Sequence, residues 1–362
     1  MTYAITWEEI KSHYRVKDRD FPMLNDDTPT FMGVPHVTTP EDLAGADVVI
    51  IGSSYVAGSR DKVGKGKYAG VDKSEWEQAS KRVRQQSIRY PSGYVQDFDL
   101  DIFEHLKVVD FGDADIPPGV MTDPTVEGIL CAQAAVEAKV SAVLDAGAVP
   151  IVVGQNSPCS SYAIAKPIAE RAAGKVGMIS LDTHWDSKPI DYLTMDPRIA
   201  GSGNWKAKTY EFHDNFSISN LVEIGERGML EKKEMVRYYL ERGAHFIPMW
   251  KIRTELGIVG LCGELQHAYD GTDAVYVHFD MDVIGGNGPA PGDILGDLAE
   301  PIGLSDYEVI RIAHEIGHRG LDGMSFICIP PGSAVMYRLI VYVIVYLMVG
   351  LAQSLQASNM KG

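Results

Sequence analysis

Positive charge, cysteine and long hydrophobic runs are all in short supply in this chain of 362 residues. Lysine and arginine number 33 against 49 aspartates and glutamates, for a net charge of −16 and a pI near 5.0. Phosphate recognition calls for clustered basic side chains, so nucleic acid is not an expected partner. The acidic excess favours cationic ligands only where a cleft focuses it, and most of it reads as solvated surface. The four cysteines, Cys131, Cys159, Cys262 and Cys328, are widely spaced and form no Cys-x-x-Cys pair. They read as free thiols of a reducing compartment, so a cytoplasmic location is expected. The N-terminus lacks a basic stretch followed by an apolar core, so no secretory signal is expected. The most apolar run, residues 339–352, is shorter than the roughly 20 residues that cross a bilayer, so no membrane partner is expected. It reads as a buried helix at a subunit interface. Repeats, low-complexity tracts and linkers are also missing.

Hydrophobic residues make up 45% of the chain, enough to bury a sizeable core. Residues 1–45 are polar, aromatic and punctuated by proline, and read as an irregular arm. From residue 46 to 362 a single domain is expected. Within it, apolar runs at 46–52, 106–111, 149–153, 176–181, 221–224, 274–279 and 324–329 read as strands, with the clearest helices at 129–146 and 306–318. Wholly apolar strands alternating with helices predict a three-layer α/β/α fold with a mainly parallel sheet covered on both faces. Ligands in such folds gather beyond the carboxyl ends of the strands.

Two acidic segments stand at such ends: Ser180-Leu181-Asp182-Thr183-His184-Trp185-Asp186 and His278-Phe279-Asp280-Met281-Asp282. In an extended chain residues i, i+2 and i+4 point the same way, which would bring Asp182, His184 and Asp186 to one spot, with Asp280 and Asp282 facing them. Four carboxylates and one imidazole suit a pair of hard or borderline cations such as Mn²⁺ or Ni²⁺ better than a closed zinc site. Such a pair lowers the pKa of a shared water.

Together with Gly288-Pro289-Ala290-Pro291-Gly292, these segments resemble the ureohydrolase superfamily, the arginases, agmatinases and relatives that hydrolyse guanidino compounds with two Mn²⁺ or Ni²⁺ ions. The likeness runs from about residue 46 to 352. It takes in Gly52 to Gly58 with Arg60, Val83-Arg84-Gln85-Gln86-Ser87, Asp110-Phe111-Gly112-Asp113, Ile224-Gly225-Glu226-Arg227-Gly228, and Gly303-Leu304-Ser305 with Glu308. Each motif is weak alone; their order makes the set specific. The resemblance implies an arginase-like fold. It also implies one metal held by Asp182, Asp186 and Asp280 and another by Asp182, His184, Asp280 and Asp282.

Several departures fall on chemistry. The family's Gly-Gly-Asp-His, whose His ligates the first metal, reads Gly154-Gln155-Asn156-Ser157, so Ser157 replaces the ligand. Lys206 in Ser202-Gly203-Asn204-Trp205-Lys206 stands at the position of a proton-shuttling His, and an ordinary lysine shuttles poorly at neutral pH. Cys328 stands where the family places the Glu that grips the guanidinium, and Gly285-Gly286 replaces an Asp-Pro. The metal cluster then reads as vestigial, or as the holder of an ion with a structural role.

His314-Glu315-Ile316-Gly317-His318 matches the zincin pattern, which alone would predict a zinc protease. The preferred reading is a polar helix face near a helix end, since Gly320 and Gly323 follow and no third ligand is evident.

Three accounts of function follow from the resemblance. The first is a catalytically impaired subunit that assembles, in a trimer or hexamer, with a catalytic paralogue acting on a guanidino small molecule, as in heteromeric nickel-dependent members of the superfamily. The second is an active Ni- or Mn-dependent amidinohydrolase with a rebuilt site. The third is a guanidine-binding regulatory module.

Overall fold

In the computed structural model the apolar runs form one eight-stranded sheet. It describes residues 6–56, 73–121, 125–188, 196–227, 229, 231–286 and 301–359. The sheet strands are β1 (Val48–Gly52), β2 (Val108–Asp113), β3 (Val149–Val153), β4 (Val176–Leu181), β5 (Phe216–Ile224), β6 (His245–Ile247), β7 (Ala274–Asp280) and β8 (Gly323–Ile327). Their spatial order is β6-β5-β4-β7-β8-β3-β1-β2, and every pairing is parallel. The neighbouring interior strands β4 and β7 are buried at every position, as their largely apolar sequences require.

Helices cover both faces. On one side α2 (Ala79–Ser87), α7 (Gly257–Glu264), α8 (Asp306–Arg319) and α9 (Ala334–Asn359) contribute Val83, Leu261, Ile312 and Ile344 to a common core. On the other, α3 (Val126–Asp145), α4 (Ala163–Arg171), α5 (Trp205–Phe212) and α6 (Lys233–Leu240) contribute Val136, Ile164, Trp205 and Tyr239. The expected α/β/α layering is therefore found. β5 begins five residues before the expected strand, and the short edge strand β6 was not expected at all.

The arm carries local structure. Thr6 and Glu9 form a reciprocal cap on α1 (Trp7–His13), and Met23–Asn25 pairs with Thr28–Pro29 in an antiparallel ribbon. The Phe31 N–H donates to Asp110 Oδ2 at 2.9 Å and Met32 N–H to Ser87 Oγ at 2.7 Å, so the arm is sewn to the domain.

The apolar run at 339–352 lies within α9, whose 26 residues extend beyond it at both ends. By length and composition alone α9 suffices to cross a membrane, yet Ile340, Val341, Ile344, Leu347 and Met348 are buried in the core. Its tightest contact is with α8. A Cβ on Gly317 would sit 2.0 Å from the Leu347 carbonyl oxygen, and one on Gly350 would sit 2.2 Å from that of His314. Backbone cannot yield as a side-chain tip does, so Gly317→Ala is expected to cost about 1–3 kcal/mol, read as a lowered urea midpoint at unchanged slope. The zincin-like segment is thus a helix-packing surface. Its His314 bonds Gln353 at 2.9 Å and stacks on Phe98, while His318 is exposed.

Candidate metal centre

The strand order sets the site. β4 and β7 are neighbours with Leu181 opposite Phe279, so Asp182 and Asp280 emerge side by side at their carboxyl ends. Beyond those ends the chain turns and fixes each carboxylate with a backbone donor. Asp182 Oδ1 accepts from His184 N–H at 2.7 Å, Asp280 Oδ1 from Asp282 N–H at 2.8 Å, and Asp282 Oδ1 from Thr183 N–H at 3.1 Å. His184 Nδ1 lies 3.0 Å from Asp282 Oδ2, and Asp182, His184 and Asp282 bring three donor atoms within 4.8 Å of one another.

The extended alternation expected for residues 182–186 is not what gathers them. Asp186 is left-handed, with φ +43°, and its Oδ2 accepts from the Trp205 indole N–H at 3.1 Å. It stands beside the donor groups and belongs to neither. Arg227 locks the turns together by donating to Thr183 Oγ1 and to the carbonyl oxygens of Asp282 and Val283, the last two at 3.1 Å. Gly225 permits this approach. Its φ is +102°, and a Cβ there would lie 2.4 Å from Val283 Cγ2.

A second donor group, Asp182, His278 and Asp280, is wholly buried, with its donor atoms within the same 4.8 Å limit. His278 was not among the expected ligands. It lies two residues before Asp280 on β7, so the alternation that aims Asp280 inward aims His278 too. Glu223, also unexpected, sits on β5 in the same row as His278.

The altered positions each have a definite setting. Ser157 is fully buried and its Oγ has no hydrogen-bond partner. Gln155 is structural. Its amide N–H groups donate to the carbonyl oxygens of Trp76 and Ile329, and its Oε1 accepts from Ile329 N–H, tying the loop after β3 to that after β8. Cys328 follows β8 with φ +52°, next to the β7 end that carries Asp280. Lys206 is fully buried, with Nζ 2.7 Å from Glu223 Oε2, and Ser180 donates to Glu223 Oε1 at 3.0 Å. Gly285 N–H donates to the Leu304 carbonyl oxygen at 3.0 Å, so the Gly285-Gly286 turn is held by its own backbone. The motif residues Gly58, Arg60, Gly228 and Gly288–Gly292 lie outside the described residues.

Burial dominates the electrostatics. It pushes the carboxyls of Asp182, Asp186 and Asp280 up, and neighbouring carboxylates add to the effect. Asp282 goes the other way: burial opposes, but the His184 hydrogen bond and charge hold it down. His184 is correspondingly raised to about 9, burial opposing and Asp282 prevailing. Burial lowers Lys206, but Glu223, Asp182 and Asp186 outweigh it and hold the ammonium charged. Burial and Lys206 keep His278 neutral. The Cys328 thiol is pushed up by burial, Asp280 and Asp282, and stays protonated.

The donor set fits divalent cations. Asp182 Oδ2 is buried without a hydrogen-bond partner, is common to both groups, and stands 3.7 Å from His278 Nε2. Carboxylate oxygens with one imidazole per group are the donors Mn²⁺ and Ni²⁺ accept.

Known proteins match the same frame. A sequence model of the arginase family matches residues 62–348. The formimidoylglutamase of Halobacterium salinarum is 25% identical over 305 residues, which span 80% of this chain and 88% of that protein. Among solved structures, the proclavaminate amidino hydrolase of Streptomyces clavuligerus superposes with a TM-score of 0.69 at 22% identity, covering 90% of this chain and 97% of that one. The Trypanosoma cruzi formiminoglutamase with Mn²⁺ gives 0.68 at 23%, covering 90% and 99%.

Proposed function

The chain belongs to the arginase family, and we propose that within it the protein is a non-catalytic or impaired ureohydrolase-like subunit that supports a catalytic paralogue in a heteromeric amidinohydrolase. The counterpart we infer is the subunit of metformin hydrolase that lacks a complete metal site. The observation that carries this reading is the Lys206–Glu223 pair. At the position of the family's proton shuttle stands an ammonium with no exposed surface, 2.7 Å from a carboxylate and held charged by it. A group that does not release its proton near neutral pH cannot relay one.

Two further losses support the same conclusion. Cys328 presents a neutral thiol where a guanidinium requires a carboxylate, and Ser157 presents a hydroxyl where a metal ligand is needed. The relatives are named for formimidoyl and amidino groups, so an amidine or guanidine is the substrate class of the complex. The four cysteines are free thiols, which fits a reducing cytoplasm.

One observation favours a second reading, in which the chain is itself an active Mn- or Ni-dependent amidinohydrolase: the two donor groups share Asp182. Cations held there would supply Lewis acidity for water activation. Asp182, Asp280 and Asp282 would hold them, His184 would orient on Asp282, and the proton would have to leave through a carboxylate.

Co-expression with a paralogue that keeps the lost His and Glu decides between them. The account expects a stable hetero-oligomer by light scattering, with urea-type product released by the mixture. A chain that never co-purifies with such a paralogue and turns over guanidines unaided would contradict it.

A further inference from the structure

We propose that His278 is a metal ligand of this chain, supplying with Asp182 and Asp280 the imidazole that Ser157 cannot. The inference deepens the reading of the acidic cluster and rests on the family membership, but not on whether the chain is catalytic.

In register, Ser325 of β8, His278 of β7, Ser180 of β4 and Glu223 of β5 stand in one row across the buried face. The row's other members have their hydrogen bonds. Ser325 Oγ meets the Tyr276 hydroxyl at 2.6 Å, Ser180 donates to Glu223 Oε1, and Glu223 Oε2 receives Lys206. His278 is the exception. It has no exposed surface, yet neither Nδ1 nor Nε2 has a partner. A buried imidazole without partners costs on the order of a few kcal/mol, so such groups call for an explanation.

Geometry supplies one. His278 Nε2 lies 3.7 Å from Asp182 Oδ2, which also lacks a partner. That is too long for a hydrogen bond. It does fit two ligands of one ion, since bonds of about 2.0–2.2 Å place neighbouring ligands roughly 3–4 Å apart. Asp280 completes the group. Trp205 covers the imidazole with ring centroids 4.4 Å apart, which fixes the ring and excludes water.

The charge balance agrees. Asp182, Asp280, Asp282, Glu223 and Glu226 are buried here and Asp186 is half-buried, against the cations Lys206 and His184. A divalent ion between Asp182 and Asp280 would let both bind as carboxylates where they stand side by side at the ends of β4 and β7.

The test uses the full chain, stripped with chelator and reloaded with Mn²⁺ or Co²⁺. Calorimetry should show that His278→Asn weakens one ion by at least about tenfold, since even loss of an outer-shell partner costs that much, while Ser157→Ala leaves affinity unchanged. Pulsed paramagnetic resonance of Mn²⁺-loaded His184→Ala should retain a nitrogen coupling from His278, a readout that does not depend on any His278 variant folding. Failure to bind Mn²⁺ or Co²⁺, equal affinity in His278→Asn, or loss of all nitrogen coupling in His184→Ala would overturn the assignment. None of these results depends on turnover, so an active isolated chain would contradict the impaired-subunit reading and leave this one standing.

Discussion

Lys206→Met is expected to lower stability by about 3–5 kcal/mol at neutral pH, the scale for removing one partner of a buried ion pair. Glu223 would keep only the Ser180 hydroxyl, in a setting where burial already raises its carboxyl. It would fold protonated and unfold ionised. A carboxyl with a raised folded pKa contributes a stability deficit that grows as pH climbs above its unfolded value, so the loss should be smaller near pH 5 than near pH 8. Replacing both partners, as Lys206→Met with Glu223→Leu, should recover most of it. Urea titrations of the three variants measure this, and a single-variant loss below about 1 kcal/mol would contradict the pair. The same logic bears on activity: Lys206→His would place an imidazole against Glu223, so that substitution alone is not expected to restore turnover.

Arg84→Met should do comparable damage, again about 3–5 kcal/mol, far from the metal centre. The guanidinium is fully buried and grips Asp110 with Nε at 2.8 Å and an Nη2 bond at 2.9 Å, while Nη1 reaches Asp113 at 2.5 Å. Asp110 in turn accepts from Phe31 N–H and Gly112 N–H. Loss of Arg84 therefore strands a buried charge and loosens the arm at Phe31. Arg84→Lys should rescue little, since one ammonium cannot replace the fork. Retained stability in both variants, with faster proteolysis nowhere in residues 6–45, would contradict this.

The same two ion pairs mark how far the sequence could be read. The interior strands were legible because nearly continuous apolar runs such as Val176–Leu181 have little alternative to a buried parallel sheet. β5 was half-seen because Ser217, Ser219 and Asn220 interrupt its first part, and β6 was missed because three residues, two of them half-buried, give no pattern. At the metal centre Asp182, His184, Asp186, Asp280 and Asp282 stood out by spacing, but the turns that arrange them follow left-handed backbone at Asp186 and the Arg227 clamp. The partner of Lys206 was not legible, because the pair joins α5 to β5. A signal was available even so: Glu223 is a carboxylate inside an apolar strand, and a buried charge needs a counter-charge. His278 carried a similar signal, being in phase with Asp280.

Family membership accounts for the frame of the site, and the substitutions at Ser157, Lys206 and Cys328 account for its proposed silence. A competent amidinohydrolase needs charge to activate water, a relay for its proton and a carboxylate for the guanidinium. By this account the chain retains ligands for the first and has lost the other two.

The most direct test is turnover by the isolated chain. Purified alone and saturated with Mn²⁺ or Ni²⁺, it should release no urea-type product above background from agmatine, arginine or metformin. Turnover on the order of 1 s⁻¹ or faster, within the usual enzymatic range, would contradict the account and make this chain an enzyme in its own right.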